Sequence, residues 1–113
     1  MIIGVAGPYS AATAAERQQN LDRLNEAAAA LLRLSHIPLI GMNAALPVVA
    51  GMQEGDERYK AIMDISMAVI DRCEALLLLA ESPGANRERD LVLSKGLPVF
   101  TSIKEVEEYF LNK

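Results

Sequence analysis

The chain has 113 residues, no break in composition and a formal net charge of −4; one domain is expected over this length, and the charge argues against a protein that tracks a nucleic-acid backbone with a basic stripe. Hydrophobic residues make up 51% and aromatics only 4%, so the core must be aliphatic. No run approaches the roughly 18 apolar residues of a membrane span, and the first apolar run lacks a basic flank, so one cytoplasmic domain over residues 1–113 is expected, bound to no membrane and no nucleic-acid polymer.

Residues 1–6 (MIIGVA) form a short apolar strand ended by Gly7-Pro8. Gly4 within it signals close approach of another group to the backbone. Thr13-Ala14-Ala15-Glu16 has the form of a capping box and opens a helix to about residue 34. Leu21, Leu24, Ala28, Leu31 and Leu32 supply its apolar stripe, with Arg17, Asp22, Arg23 and Glu26 on the wet side. His36 falls at the turn that follows, where histidine is commonly solvated. Without Cys or His companions it is a structural residue, and no metal site is expected.

Residues 37–40 (IPLI) form a second strand. Residues 41–57 carry Pro47, two further glycines after Gly41 and an acidic tip, and read as a long binding loop or lid, with Asn43 placed to contact a ligand. A helix over residues 58–72 follows. Ile62, Ile65, Val69 and Cys73 centre its apolar face, Met63, Met67 and Ile70 widen it, and Asp64 and Asp71 lie opposite. Ser66 falls inside that face, where a hydroxyl by default bonds to the carbonyl four residues back. Cys73, the one cysteine, reads as a buried small hydrophobe.

Residues 75–80 form a wholly apolar strand; Ser82-Pro83-Gly84 then punctuates the chain and a helix runs over residues 85–95. This junction offers backbone N–H groups and a positive dipole end to an anion, while Gly84 permits close approach. Glu88 shares its helix face with Ala85, Leu91 and Val92, the face that must pack on the sheet. A carboxylate there has to be paired, protonated or put to use. Gly96 ends the helix, residues 97–100 form a last strand, and residues 103–111 a terminal helix.

Alternating short apolar strands and helices imply an α/β fold, a Rossmann-like or flavodoxin-like three-layer sandwich with a short parallel sheet of about four to five strands. The common strand order puts the first and third strands side by side at the switch point, where ligands bind. The loops leaving that crevice are Gly7-Pro8-Tyr9-Ser10 and Glu81-Ser82-Pro83-Gly84, with Glu88 behind. A small anionic or nucleotide-like ligand is therefore expected.

Gly7-Pro8 after the first strand, Arg72-Cys73-Glu74-Ala75 before the third, Ser82-x-Gly84-Ala85-x-x-Glu88 and Gly96-x-Pro98-Val99 together resemble the nucleoside 2-deoxyribosyltransferase superfamily. The likeness covers almost the whole chain and is strongest to the compact bacterial branch; 2′-deoxynucleoside 5′-phosphate N-hydrolases belong to the same superfamily. It implies that Glu88 is a catalytic nucleophile that attacks the anomeric carbon and forms a glycosyl-enzyme ester, with water or another base then taking the sugar. It implies further that Ser82 contacts the 5′ end, that the Gly7 and Gly84 amides frame sugar or phosphate, that Pro8, Ser10 and Ala85 complete the substrate-binding set, and that no cofactor is needed. The family aspartate falls at Ser66, and the first-strand tyrosine of many relatives falls at Gly4, leaving Tyr9 as the nearby phenol.

These residues support three readings. The first is an N-glycosidic hydrolase or transferase acting on a nucleoside or nucleoside 5′-monophosphate. The second is a non-catalytic nucleotide-binding module using the same crevice. In the third, Glu88 is paired structurally with Arg87, Arg89 or Lys95. The wide apolar arc of the third helical segment, and the dimers formed by relatives, imply a homodimer.

Overall fold

The computed structural model describes residues 1–111 and is an α/β sandwich. In chain order the elements are β1 (Ile2–Ala6), α1 (Ala14–Arg33), β2 (Ile37–Leu39), α2 (Gly41–Val49), α3 (Asp56–Asp71), β3 (Ala75–Leu78), α4 (Pro83–Ser94), β4 (Val99–Phe100) and α5 (Ile103–Leu111). The four strands form one all-parallel sheet in the order β2-β1-β3-β4. Its two central strands are β1 and β3, with Ile3 opposite Ala75 and Ala6 opposite Leu78. No helix among the described residues is long and apolar enough to cross a membrane.

Strand side chains alternate between two cores, as the twofold period of an extended chain requires. Ile3, Val5, Ala75 and Leu77 point to one face, where Leu24, Ala28 and Leu31 of α1 and Val106 of α5 cover them. Ala6, Leu76 and Leu78 point to the other, under Ile70 of α3 and Ala85 and Val92 of α4. Both faces are apolar because both are covered. Gly4 belongs to the second face: a Cβ there would lie 2.6 Å from Ile70 Cδ1 and 3.3 Å from Cys73 Sγ. The close neighbour implied by this glycine is α3, and that packing leaves no room for a larger side chain on β1.

The largest departure from expectation is in residues 41–57. Residues 41–49 are not a loop but the helix α2, and the lid shrinks to a short connection ending at Gly55. Gly41, Ala45 and Val49, four apart, form a buried stripe that packs α2 on α3, and this burial outweighs the breaking signals. Pro47 is exposed and forfeits one backbone bond, to the carbonyl four residues back. At the other end of the helix Gly41 is indispensable, since a Cβ would stand 2.2 Å from Ser66 Oγ and 2.8 Å from Ser66 Cα.

Three smaller corrections have local causes. Leu32 is 58% exposed, because the α1 stripe needs only Leu24, Ala28 and Leu31 to reach the sheet. His36 is buried rather than solvated, its ring 4.6 Å from that of Phe110 on α5. In the expected capping box, Glu16 N–H donates to Thr13 Oγ1 at 3.1 Å, but the Glu16 carboxylate accepts from the threonine hydroxyl and not from the backbone.

Candidate functional site

The sheet order puts the carboxyl ends of β1 and β3 together, and a cavity of about 830 Å³ opens there. Gly7, Pro8, Tyr9 and Ser10 line one wall, following β1. Ser82, Gly84, Ala85 and Glu88 line the opposite wall, following β3. The volume suits a nucleoside-sized ligand. Two α1 side chains tie down the first wall: Asn20 Nδ2 donates to the Tyr9 carbonyl at 2.9 Å, and Arg17 Nη1 to the Ala11 carbonyl at 3.0 Å.

The Ser82-Pro83-Gly84 stretch is the first turn of α4, which starts two residues earlier than its periodicity indicates. Ser82 is the N-cap and Pro83 takes the first helical position, where its missing N–H costs nothing. The cap narrows what the helix end offers an anion. Ala85 N–H already donates to Ser82 Oγ at 3.1 Å and Asn86 N–H to the Ser82 carbonyl at 2.8 Å. Of the first-turn amides, only that of Gly84 takes no bond from Ser82. The Ser82 hydroxyl, accepting with a lone pair, keeps its own proton to donate.

Glu88 lies one turn further in, 7% exposed, on the buried stripe with Ala85 and Val92. Every basic residue on its own helix or just beyond it is engaged elsewhere. Arg89 pairs with Glu81 at 3.0 Å and Asp90 at 3.1 Å, Lys95 with Asp71 at 3.2 Å, and Arg87 sits over the Tyr59 ring at 5.9 Å from its centroid. Glu88 makes no ion pair among the described residues, which overturns its reading as part of a structural network. Burial pushes its carboxyl up to about 7, and the Ser66 hydroxyl beside it pulls the other way by a smaller amount. Ser66 Oγ is fully buried and meets no partner in normal hydrogen-bond geometry. Glu88 is thus poised to change protonation near neutrality, with its face open to the cavity.

Ser66 lies behind Glu88, wedged against Gly41, and does not line the cavity. The α2–α3 crossing explains a small residue here, since an aspartate would have to fit where Gly41 approaches within van der Waals contact. Asn43 is not brought to the site at all. It lies on the far side of α2, where its Nδ2 donates to Asn25 Oδ1 at 2.7 Å. Cys73 is buried, and its thiol, pushed up to about 11 by burial first and by the charge of Glu88 second, is unreactive.

Sequence periodicity missed two guanidinium groups, Arg17 on α1 and Arg58 on α3, both on the cavity wall. Arg58 Nε is buried with no hydrogen-bond partner, and its nearest carboxylate, the 81%-exposed Glu54, stands 3.7 Å from Nη1. Nothing local marks these residues. Arg17 falls on the polar side of its helix and Arg58 in the first turn of another, and only the tertiary arrangement brings them to one cavity. Among the described residues, no three His, Cys, Asp or Glu side chains gather to hold a metal ion.

Residues 3–101 match a family described as a domain of unknown function, DUF4406, and the chain belongs to that family. No curated protein matches the chain at a significant level.

Proposed function

We propose that the chain is an enzyme that cleaves the N-glycosidic bond of a nucleoside 5′-monophosphate, with Glu88 as the nucleophile. The observation that carries this reading is the unpaired, buried Glu88 carboxyl, titrating at about 7, in one cavity with the α4 N-terminus and two arginines. The spacing of Ser82, Gly84, Ala85 and Glu88, which resembles the nucleoside 2-deoxyribosyltransferase superfamily, supports it.

In this mechanism the ionised Glu88 attacks C1′ of the sugar. The C1′–N bond breaks, its electron pair stays on the base nitrogen, and a glycosyl-enzyme ester is left. The departing base takes a proton from cavity water or from the Tyr9 phenol. Water then attacks C1′, the C1′–O bond of the ester breaks with its electron pair returning to the Glu88 carboxylate, and the water's proton restores the group that protonated the base as the sugar phosphate leaves. Ser82 O–H and Gly84 N–H hold the phosphate at the helix end, and Arg58 supplies a bidentate cation from the facing wall. Hydrolysis is preferred to transfer to a second base.

The test is to incubate the purified protein with deoxynucleosides and their 5′-monophosphates and to measure free base. Release from the monophosphates that disappears in Glu88→Ala is expected. No release from any substrate, or equal release by that variant, overturns the enzyme reading.

A second reading, a nucleotide sensor using the same cavity, draws on Ser66, which stands where relatives carry an acid and which has no partner to supply a proton. Saturable binding by calorimetry with no product would establish it.

A further inference from the structure

Among the described residues, two carboxylates and two guanidinium groups line the cavity beside α4: Glu54, Glu88, Arg17 and Arg58. Glu88 makes no ion pair, and Arg17 is tied to the Ala11 carbonyl. Arg58 has one charged partner among the described residues, Glu54, whose Oε1 stands 3.7 Å from Nη1. We propose that Glu54 is an internal competitor for this guanidinium: it holds Arg58 in the free protein, and a phosphate monoester must displace it to bind. The inference rests on the reading of the cavity as a nucleotide site and adds the residue that limits how tightly its phosphate end is held.

The contact between the two side chains is loose enough to be exchanged. At 3.7 Å it is too long for a hydrogen bond, so Glu54 offsets the charge of Arg58 without satisfying its donors. Arg58 Nε stays buried and unpartnered, on the edge of the guanidinium away from Nη1. A phosphate gripping side-on, through Nε–H and the N–H beside it, makes two charge-assisted bonds that Glu54 does not make, and it pairs a donor that is costly to leave buried alone. The Glu54 side chain is 81% exposed, and a pair so open to solvent is weak.

The backbone lets Glu54 withdraw. Residues 50–55 are exposed throughout, and neither Gly51 nor Gly55 has an atom within 4 Å of where a Cβ would stand. Gly55, at φ 143°, adopts a conformation that glycine alone takes readily. Its carbonyl accepts from Tyr59 N–H at 3.0 Å, which pins the connection to the first turn of α3 and leaves the stretch before it unpacked. The carboxylate can therefore swing into solvent without disturbing a buried side chain.

The consequence is a ceiling on phosphate affinity. Every ligand that uses Arg58 must overcome the same competitor. A nucleotide has sugar and base contacts to draw on, whereas inorganic phosphate or a released sugar phosphate has few, so Glu54 keeps the cavity from being held by the smaller anions. An unphosphorylated nucleoside leaves Glu54 where it stands.

Calorimetry on the full chain tests this with inorganic phosphate, and with deoxyadenosine and its 5′-monophosphate in a Glu88→Ala background so that no ligand is consumed. Glu54→Gln is expected to tighten inorganic phosphate and the monophosphate by about three- to fivefold and to leave deoxyadenosine within about twofold, while Glu54→Asp, which keeps the charge, stays closer to wild type. In an Arg58→Ala background the gain from Glu54→Gln should vanish, since the competition acts through that guanidinium. Unchanged or weaker phosphate binding in Glu54→Gln overturns the proposal, and so does an equal gain for deoxyadenosine. A gain that persists without Arg58 overturns it too, by showing a diffuse charge effect. These readouts need no turnover: a protein that releases no base and still shows the Arg58-dependent gain retains the competitor and loses only the enzyme reading, and base release without that gain does the reverse.

Discussion

The helix α2 divides two concavities of similar size and opposite chemistry. Toward the sheet's carboxyl edge, Met42 and Leu46 face a cavity that holds a buried carboxyl, two arginines, two tyrosines and a capped helix end. On its other side, Ala44 faces a groove of aliphatic side chains with charges only on its rim. Polar groups that are buried without partners cost folding free energy, and a chain of this size tolerates them where they are used. Volume alone would favour the groove. The buried Glu88 carboxyl and the unpartnered Arg58 Nε single out the cavity.

The comparison breaks most readily at Glu88. If the cavity is catalytic, Glu88→Ala should lower turnover by at least roughly a thousandfold, while Ala68→Glu in the groove should leave it within about twofold. Base release from a nucleoside 5′-monophosphate measures both. The same residue gives a signed prediction for stability. A folded-state value of about 7 against 4.5 unfolded means that the folded chain binds the extra proton, so this stability is present below pH 4.5 and lost as pH rises through 7. Glu88→Gln removes the cost and should stabilise the fold at pH 8 by an amount approaching 3 kcal/mol, with little change at pH 4, in urea titrations at the two pH values. Catalysis depends on the ionised form and should rise with pH through about 7.

Smaller effects test the walls. Gly41→Ala drives a methyl group into Ser66, and a loss of about 1–3 kcal/mol is expected by thermal or urea unfolding as α2 and α3 are forced apart. Arg58→Ala should weaken binding of a nucleoside monophosphate by about tenfold or more by calorimetry and leave the unphosphorylated nucleoside unaffected. An equal loss for both ligands would remove Arg58 from the phosphate end. The smallest effect is expected at Asn43. It faces away from the cavity, and Asn43→Ala should leave turnover within about twofold and cost less than about 1 kcal/mol for the exposed bond to Asn25.

What could be read in the residues alone was whatever local pattern dictates. Short apolar strands alternating with helices implied the parallel sheet and its central β1–β3 pair. The face shared by Ala85, Glu88 and Val92 marks Glu88 as buried from the sequence alone, because helical period is local to α4. Gly4 announced a close neighbour, although not that the neighbour is Ile70. What needed the tertiary structure was every feature that depends on a second element. Residues 41–49 became a helix because α3 offered their Gly41, Ala45 and Val49 stripe a surface, overriding a proline that argued for a loop. Arg17 and Arg58 entered the site because two helices distant in sequence converge on one edge. Ser82 spent its acceptor on Ala85 because Pro83 fixed the helix start. Glu88 stayed unpaired because Arg87, Arg89 and Lys95 each found another partner, which no count of charges along one helix would reveal.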